Sequence, residues 1–185
     1  MSFSGSIRSF PQLSWFRSRL IFPLSLALVL AGVLAAQEMH PTARTTPAFD
    51  QLKSLAGEWE GKTSAGAPVK ITYQVVSNGS TVMERLQPSN EPDMITMYTL
   101  DGDRLIVTHY CSAGNQPSMQ TAPLSSASGK YDFTLAHLGG AKSPDEGHMQ
   151  SLSLTITDKD HLRQVWTFAD HGKTQTESFN YTRKS

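Results

Sequence analysis

The stretch FDQLKSLAGEWEG, residues 49–61, decides the fold. Its apolar residues Phe49, Leu52 and Leu55 recur at the spacing of one helix face, and Gly57 is typical of the residue that ends a helix. A helix this short is not stable by itself. The stretch therefore predicts a small helix that packs on a larger structure, followed at once by a strand.

Downstream of Trp59 the apolar residues alternate with polar ones, which is the period of half-buried strands. Asn78-Gly79 and Asp101-Gly102 are typical of tight hairpin turns. The strands recur at a spacing of roughly 8–12 residues, which is the spacing of barrels and sandwiches. About ten strands are predicted: 59–63, 69–75, 81–87, 94–100, 104–111, 119–124, 131–138, 148–157, 162–169 and 174–182.

The connections between the predicted strands are short, which favours a meander over a Greek-key sandwich. The longest are 88–93, 112–118 and 139–147, and none has the length of a convincing crossover. A meander that closes into a barrel removes its exposed strand edges. The sequence therefore predicts an all-β fold, a single up-and-down antiparallel β-barrel of about ten strands with a short N-terminal plug helix. A two-sheet sandwich is the alternative.

The first 35 residues have the layout of a secretory signal peptide. Arg8, Arg17 and Arg19 form a basic head, Leu20–Leu34 is apolar, and small residues before Ala36 suit cleavage. The apolar run is shorter than the ~20 residues of a spanning helix, although an uncleaved membrane anchor is the alternative. We expect residues 1–35 to be removed and the mature protein to be exported, to the periplasm or outside the cell, with no membrane span. Residues 36–46 are then a flexible arm, and residues 47–185 are the barrel domain.

The charge of the predicted mature chain argues against nucleic acid and anionic membrane surfaces as partners. The whole chain has 16 basic and 16 acidic residues, and 3 of the basic ones lie in residues 1–35, which leaves 13 against 16 and a formal charge of −3. These charges are scattered and form no basic stripe. Cys111 is the only cysteine, so no internal disulfide forms; a buried thiol is favoured over an intermolecular bridge or a reactive group.

The densest polar cluster in the predicted strands is HYCSAGNQP, residues 109–117. His109 and Cys111 share one strand face, and they line the lumen if that face points inward. Asn115 and Gln116 then lie in a loop at the rim, where a few polar groups orient a bound molecule. The alternative is a polar strand end followed by an ordinary turn.

Other chemistry-bearing residues give weaker signals. Glu84 and Arg85 are neighbours on one strand, so one of them points inward and needs a partner or a ligand, unless that end of the barrel is wet. The six histidines show no chelating spacing along the chain, so the sequence predicts no metal site. No Gly-x-Ser-x-Gly, His-Glu-x-x-His or phosphate-loop motif occurs, and no catalytic residue is assigned.

The motif Leu52-x-x-Leu55-x-Gly57-x-Trp59-x-Gly61 resembles the opening of lipocalin-like (calycin) barrels. The resemblance implies that Trp59 packs across the barrel floor and that a basic residue of the last strand, here Arg183, lies over its ring. A closer resemblance, to an uncharacterised family of secreted bacterial lipocalin-like proteins, implies the barrel and export but no assigned activity. It is carried by residues 98–119, 147–149 and 160–168.

A more distant resemblance is to nitrobindin-type haem barrels, which share the Gly-x-Trp start and about ten strands. Those barrels hold haem through a histidine near the C-terminal end. The resemblance implies haem as a cofactor of this chain only if His161 or His171 occupies that position, and both lie in predicted turns.

The function that these observations favour is non-covalent binding of a small, apolar or amphipathic molecule in the barrel lumen. Two alternatives stay open: a haem-binding barrel or a lumen enzyme that uses His109 and Cys111, and a structural or interaction module with a filled lumen. The sequence leaves the oligomeric state open. The predicted ligand-binding residues are His109, Cys111, Asn115, Gln116, Met119, Tyr98 and His148, and Trp59 and Arg183 are the predicted structural pair. Lumen contact is also expected of Tyr73, Met83, Met94 and Met97, with plain core packing as the alternative.

Overall fold

The computed structural model describes residues 43–185, which begin with helix α1 (Pro47–Lys53). Thr46 caps this helix: its Oγ1 accepts a hydrogen bond of 3.2 Å from the backbone N–H of Phe49. Phe49 and Leu52 are buried, as the helical spacing predicts. The predicted signal peptide, residues 1–35, and residues 36–42 of the predicted arm lie outside the described residues. None of the helices in residues 43–185 has the length and apolar character needed to cross a membrane.

Ten antiparallel strands follow the helix, and each pairs with its neighbours in the sequence. Strand β10 also pairs with β1, which closes the barrel and confirms the predicted up-and-down fold. The strands are β1 (Gly57–Thr63), β2 (Pro68–Val76), β3 (Thr81–Pro88), β4 (Met94–Asp101), β5 (Arg104–Tyr110), β6 (Gln116–Gln120), β7 (Lys130–Gly139), β8 (His148–Ile156), β9 (His161–Asp170) and β10 (Lys173–Arg183).

Strand β6 is the one predicted strand that was placed wrongly. It spans residues 116–120 instead of 119–124, so Gln116 begins a strand and is not a loop residue. Pro117 lies inside this strand, although proline cannot donate a ladder hydrogen bond. The register on β7 shifts between Ser118 and Met119, and such irregularities accommodate residues that a regular ladder excludes.

Side chains alternate between the lumen and the outer surface along each strand. On β5, Leu105, Val107 and His109 are buried while Tyr110 is exposed, so the face that carries His109 points inward. On β3, Glu84 is buried, whereas Arg85 is exposed. The inward carboxylate is therefore Glu84, and its neighbour faces solvent.

The end of the barrel beside α1 is closed by Trp59 and its neighbours. The indole Nε1 donates a 2.9 Å hydrogen bond to the carbonyl of Leu55, and the guanidinium of Arg183 lies 4.2 Å from the ring centroid. Arg183 also donates to the carbonyls of Ser54, Ala56 and Lys159. The predicted pair of Trp59 and Arg183 is thus joined to the helix and to the β8–β9 turn.

Both glycines that flank Trp59 are explained by close packing. Gly57 has a φ of +132°, a conformation that side chains disfavour, and a Cβ there would lie 3.0 Å from Nη1 of Arg183. A Cβ on Gly61 would lie 2.4 Å from the carbonyl oxygen of Asn180. The Gly-x-Trp-x-Gly spacing therefore lets β10 approach β1 closely enough to lay Arg183 over the indole.

Candidate functional site

The end of the barrel opposite α1 opens into a cavity of about 260 Å³. Its wall comes from strand ends remote from Trp59: Thr63 ends β1 and Met94 begins β4. Most of the wall is apolar, with four polar or charged side chains among it. The apolar residues are Leu86, Pro88, Met94, Met149, Trp166 and Phe179, and the others are Thr63, His109, Glu91 and Glu177. This volume lies just below the ~300–1,000 Å³ of ordinary small-molecule pockets.

His109 is the polar group set deepest in this wall, since it is only 1% exposed. Its Nδ1 lies 2.9 Å from Oγ1 of Thr96, while its Nε2 is buried and has no hydrogen-bond partner among residues 43–185. Burial lowers the pKa of His109 to about 4, so the imidazole is neutral near neutral pH. A buried polar atom without a partner costs about 1–3 kcal/mol, which marks Nε2 as a position where a bound group would be stabilised.

The ring of Trp166 joins the cavity wall to a polar network in the middle of the barrel. Its centroid lies 4.8 Å from that of His109, and its Nε1 donates to Oε1 of Gln164 at 3.1 Å. Gln164 in turn donates to Oε2 of Glu84 at 2.7 Å, and the hydroxyl of Tyr98 donates to the same oxygen at 2.7 Å. The cavity therefore ends on a layer of side chains that are bonded to each other.

Glu84 lies at the centre of that layer and accepts hydrogen bonds from Tyr98 and Gln164. Burial raises its pKa, and hydrogen bonds from Tyr98, Tyr73 and Gln164 act in the opposite direction. Its second oxygen, Oε1, has no partner in the described part of the chain, and neither does the buried hydroxyl of Tyr181. Because Glu84 is fully buried below the wall residues, it belongs to the filled middle of the barrel and does not line the cavity.

A second, wider space of about 470 Å³ lies at the mouth and shares part of its wall with the cavity. The shared residues are Glu91, Met94, Met149 and Glu177. Cys111, Ser112, Phe168 and Thr176 are among the residues that line this space alone. The cavity and this vestibule therefore form one path from solvent to Trp166.

Met149 reaches this path because the β8–β9 ladder is irregular. The inward residues farther along β8 are Leu152 and Leu154, so strict alternation would turn Met149 outward. The register on β9 shifts between Met149 and Ser151, and this bulge brings Met149 into the wall.

Two of the predicted ligand-binding residues line the path. His109 lies in the wall of the cavity and Cys111 in that of the vestibule. No hydrogen bond joins these two side chains in the described structure, and Nδ1 of His109 is already paired with Thr96. Nothing in their arrangement specifically supports a catalytic pair in which Cys111 is the nucleophile and His109 its base.

The structure places the other five predicted residues away from both spaces. Tyr98 and Met119 are fully buried in the core. Asn115 is buried too, and its Nδ2 donates to the carbonyl of Gly147 at 2.8 Å, which ties two loops together. Gln116 bonds back to Gly114, and His148 contacts the carbonyl of Glu146 through Nδ1. These contacts hold the loops that surround the mouth.

Eight of the ten wall residues are not among the predicted ligand-binding or lumen residues: Thr63, Leu86, Pro88, Glu91, Met149, Trp166, Glu177 and Phe179. Trp166 alternates in phase with Leu162 and Phe168 along β9, and the face that carries these three residues points inward. Of the expected lumen residues, Met94 lines the cavity and Tyr73 lies in the buried core. Met83 and Met97 face each other across β3 and β4 on the outer side of the barrel.

The late histidines do not fit a haem site. His161 and His171 are exposed, and their Nδ1 atoms lie 2.9 and 2.7 Å from carboxylate oxygens of Asp158 and Asp170. Neither histidine lines the cavity or the vestibule. Within residues 43–185, no three histidine, cysteine, aspartate or glutamate side chains converge as metal ligands would.

Comparison with known proteins shows the fold alone. No family model matches the chain, and no curated protein matches it. The crystal structure of Rv2717c from M. tuberculosis is similar, with a TM-score of 0.53 and 14% identity over 77% of this chain and 100% of that one. A protein of unknown function of the DUF3598 family from Nostoc punctiforme matches with a TM-score of 0.50 and 11% identity over 80% of this chain. This chain spans about half of that protein, 53% of its length.

Proposed function

We propose that this is an exported protein that binds a small, partly apolar molecule in the cavity at the open end of the barrel. The observation that carries the proposal is the contrast inside one lumen. The middle and the α1 end are filled by packed side chains, whereas the other end keeps an apolar cavity with a buried, unpartnered imidazole nitrogen in its wall.

The wall chemistry supports a ligand that is mostly apolar. Trp166, Phe179 and Met149 offer an aromatic and thioether surface, and methionine adapts readily to the shape of a bound group. Each 100 Å² of apolar ligand surface buried there would contribute about 2.5 kcal/mol before the costs of binding are subtracted. The volume of about 260 Å³ limits the buried part of the ligand to a small group.

His109 supplies the polar contact. In either neutral tautomer its Nε2 offers one hydrogen bond, as an acceptor when Nδ1 carries the proton and as a donor when Nε2 does. Neighbouring side chains cover Nε2, so we expect this bond to form as the wall adjusts around the ligand. A hydroxyl, amine or carbonyl on the ligand would satisfy it.

Export and the choice of partner belong to the same proposal. Export is supported by the basic head and the apolar run of residues 1–35, which precede the described domain. A small molecule is favoured as partner over nucleic acid because the mature sequence carries no basic stripe.

The test is native mass spectrometry of the mature chain purified from its own host, with a visible absorption spectrum. We expect a bound mass of a few hundred daltons without colour. Met149→Trp should fill the cavity and abolish this mass, whereas Met83→Trp, the same exchange on the outer face, should retain it. A bound mass that survives Met149→Trp would contradict the cavity as the site, and a haem mass with a Soret band would replace the proposal.

A further inference from the structure

Two charged side chains line the path from solvent to Trp166, and both are acidic. Within residues 43–185, Glu91 and Glu177 are the charged residues in the walls of the cavity and of the vestibule, and each lines both. They therefore flank the passage between the two spaces. Any ligand that enters the cavity passes these two carboxylates.

Neither carboxylate forms an ion pair with another side chain of residues 43–185. Glu177 Oε1 accepts hydrogen bonds of 2.7 Å from the backbone N–H and from the hydroxyl of Ser64, which orient it but bring no positive charge. Glu91 contacts only a hydroxyl, Oγ of Ser112 at 3.4 Å, among the hydrogen bonds and ion pairs of the described chain. By contrast, Asp93, two residues from Glu91, is paired with Arg85 at 2.6 Å.

The wall beyond these carboxylates carries no positive charge that would hold an anion. It is apolar apart from Thr63 and His109, and the lowered pKa of His109, about 4, keeps its ring uncharged near neutral pH. The same His109, 1% exposed and with Nε2 unpartnered, is an independent sign that this space is built for a ligand. An anionic head group at the mouth would meet two negative charges and no positive one.

We propose that the mouth selects small cationic amphiphiles. The apolar part of such a molecule lies in the cavity against Trp166 and Met149, and its ammonium or similar cation lies between Glu91 and Glu177. Aromatic rings favour cations as well, and Phe179 in the cavity wall and Phe168 in the vestibule wall line the same spaces as the two carboxylates. This inference rests on the proposed function and names the class of ligand for that site.

The test compares three probes with the same octyl chain: octyltrimethylammonium, octanol and octanoate. Binding to the mature protein is measured by isothermal titration calorimetry near neutral pH and at low ionic strength. We expect octyltrimethylammonium to bind at least about tenfold more tightly than octanoate, with octanol between them. Added salt should weaken the cation and leave octanol unchanged, because only the charged contact is screened.

Two variants and one matched control locate the effect. Glu91→Gln and Glu177→Gln should each weaken octyltrimethylammonium by about three- to tenfold and leave octanol unchanged. Gln at position 177 retains an oxygen for Ser64, so the loop contact persists. Glu58→Gln, on the outer surface near the closed end, should change neither affinity.

The outcomes separate the two proposals. If octanol binds and Met149→Trp abolishes its binding, but octanoate binds as tightly as the cation, the preference for cations is wrong and the cavity site stands. If neither glutamate variant affects the cation, the preference is also wrong. If none of the three probes binds, both the preference and the proposed function are overturned.

Discussion

Two tryptophans mark the two ends of this barrel, and they are almost equally buried, at 0% for Trp59 and 2% for Trp166. Trp59 donates to a backbone carbonyl, and a guanidinium that makes three further backbone hydrogen bonds covers its ring. Trp166 donates to a side-chain amide, lies beside an imidazole with an unpartnered nitrogen, and borders a cavity.

Burial alone therefore does not distinguish the tryptophan that closes the barrel from the one that borders the proposed site. What differs is how rigidly the polar groups around each ring are held in place. Around Trp59 the polar partners are backbone groups of fixed position. Around Trp166 they are side chains, Gln164 and His109, that adjust when something occupies the space beside them.

The largest effect expected is on folding, from truncation at the closed end. Trp59→Ala should lower the free energy of unfolding by about 3–5 kcal/mol, because it leaves a void that the packed floor does not fill. Trp166→Ala should cost less, because its ring already borders open space. Urea denaturation of both variants measures this difference. Equal losses of unfolding free energy would show that the two ends are packed alike and would contradict the difference described here.

The second effect is a pH dependence that belongs to the open end. His109 has a folded pKa of about 4, below its ordinary value of 6.5, so it contributes stability that is present above pH 6.5 and is lost as the pH falls toward 4. At 1.36 kcal/mol per pKa unit, the loss amounts to about 3 kcal/mol. His109→Gln, which keeps a polar partner for Thr96, should remove this loss when unfolding is followed at several pH values. A variant with an unchanged slope would contradict the assignment.

Glu84 provides a check on that measurement because its sign is opposite. Its folded pKa is raised above the ordinary 4.5, so its contribution is greatest below pH 4.5 and is lost as the pH rises through the folded value. Glu84→Gln should therefore remove a loss of stability that sets in as the pH rises above 4.5, whereas His109→Gln removes one that sets in as the pH falls below 6.5. The carboxyl pKa values of Asp50, Asp132 and Asp158 are lowered, so these groups change the stability only below about pH 3.8. Their effect therefore lies outside the pH ranges of His109 and Glu84.

A smaller effect is expected from Arg183→Lys, which keeps the positive charge at the closed end. Lysine lacks the planar fork that reaches three backbone carbonyls while covering the indole ring. We expect a loss of about 1–2 kcal/mol in unfolding free energy and no change in binding of the octyl probes. A change in probe affinity would show that the two ends are coupled.

The smallest effect concerns a second cation over an aromatic ring at the same end. The Nζ of Lys53 lies 4.9 Å from the centroid of Phe49, but it is partly exposed and also contacts Asp50. Lys53→Ala should cost about 0.5 kcal/mol, and thermal melting measures it. A loss as large as that of Arg183→Lys would mean that the backbone contacts of Arg183 contribute little.

The closed end was largely predictable from the sequence, whereas most of the open end was not. The signals for this end are local in the sequence. They are the helical spacing of Phe49, Leu52 and Leu55 and the glycines that flank Trp59. Alternation likewise predicts the strands other than β6, but it leaves open which faces of β3 and β5 point inward. His109 on β5 and Cys111, the residue that follows this strand, line adjoining spaces.

Two of the wall residues depend on features that alternation does not express. Met149 enters the wall through a bulge, and Glu91 comes from a loop whose path is set by tertiary contacts. Asn115 seemed a rim residue because polar loop residues usually face solvent. Its amide instead bonds the carbonyl of Gly147, 32 positions away in the chain, a contact that no local pattern reveals.

The closure of the barrel between β1 and β10 has a kinetic consequence. All other ladders join strands that are neighbours in the sequence, so they can form as local hairpins. The last ladder brings together groups such as Arg183 Nη1 and the carbonyl of Ala56, which are 127 positions apart. Loop-closure entropy opposes that contact until the intervening strands have condensed. Ring closure is therefore expected to be the late, rate-limiting step of folding, and until it occurs the chain presents two open strand edges to other chains.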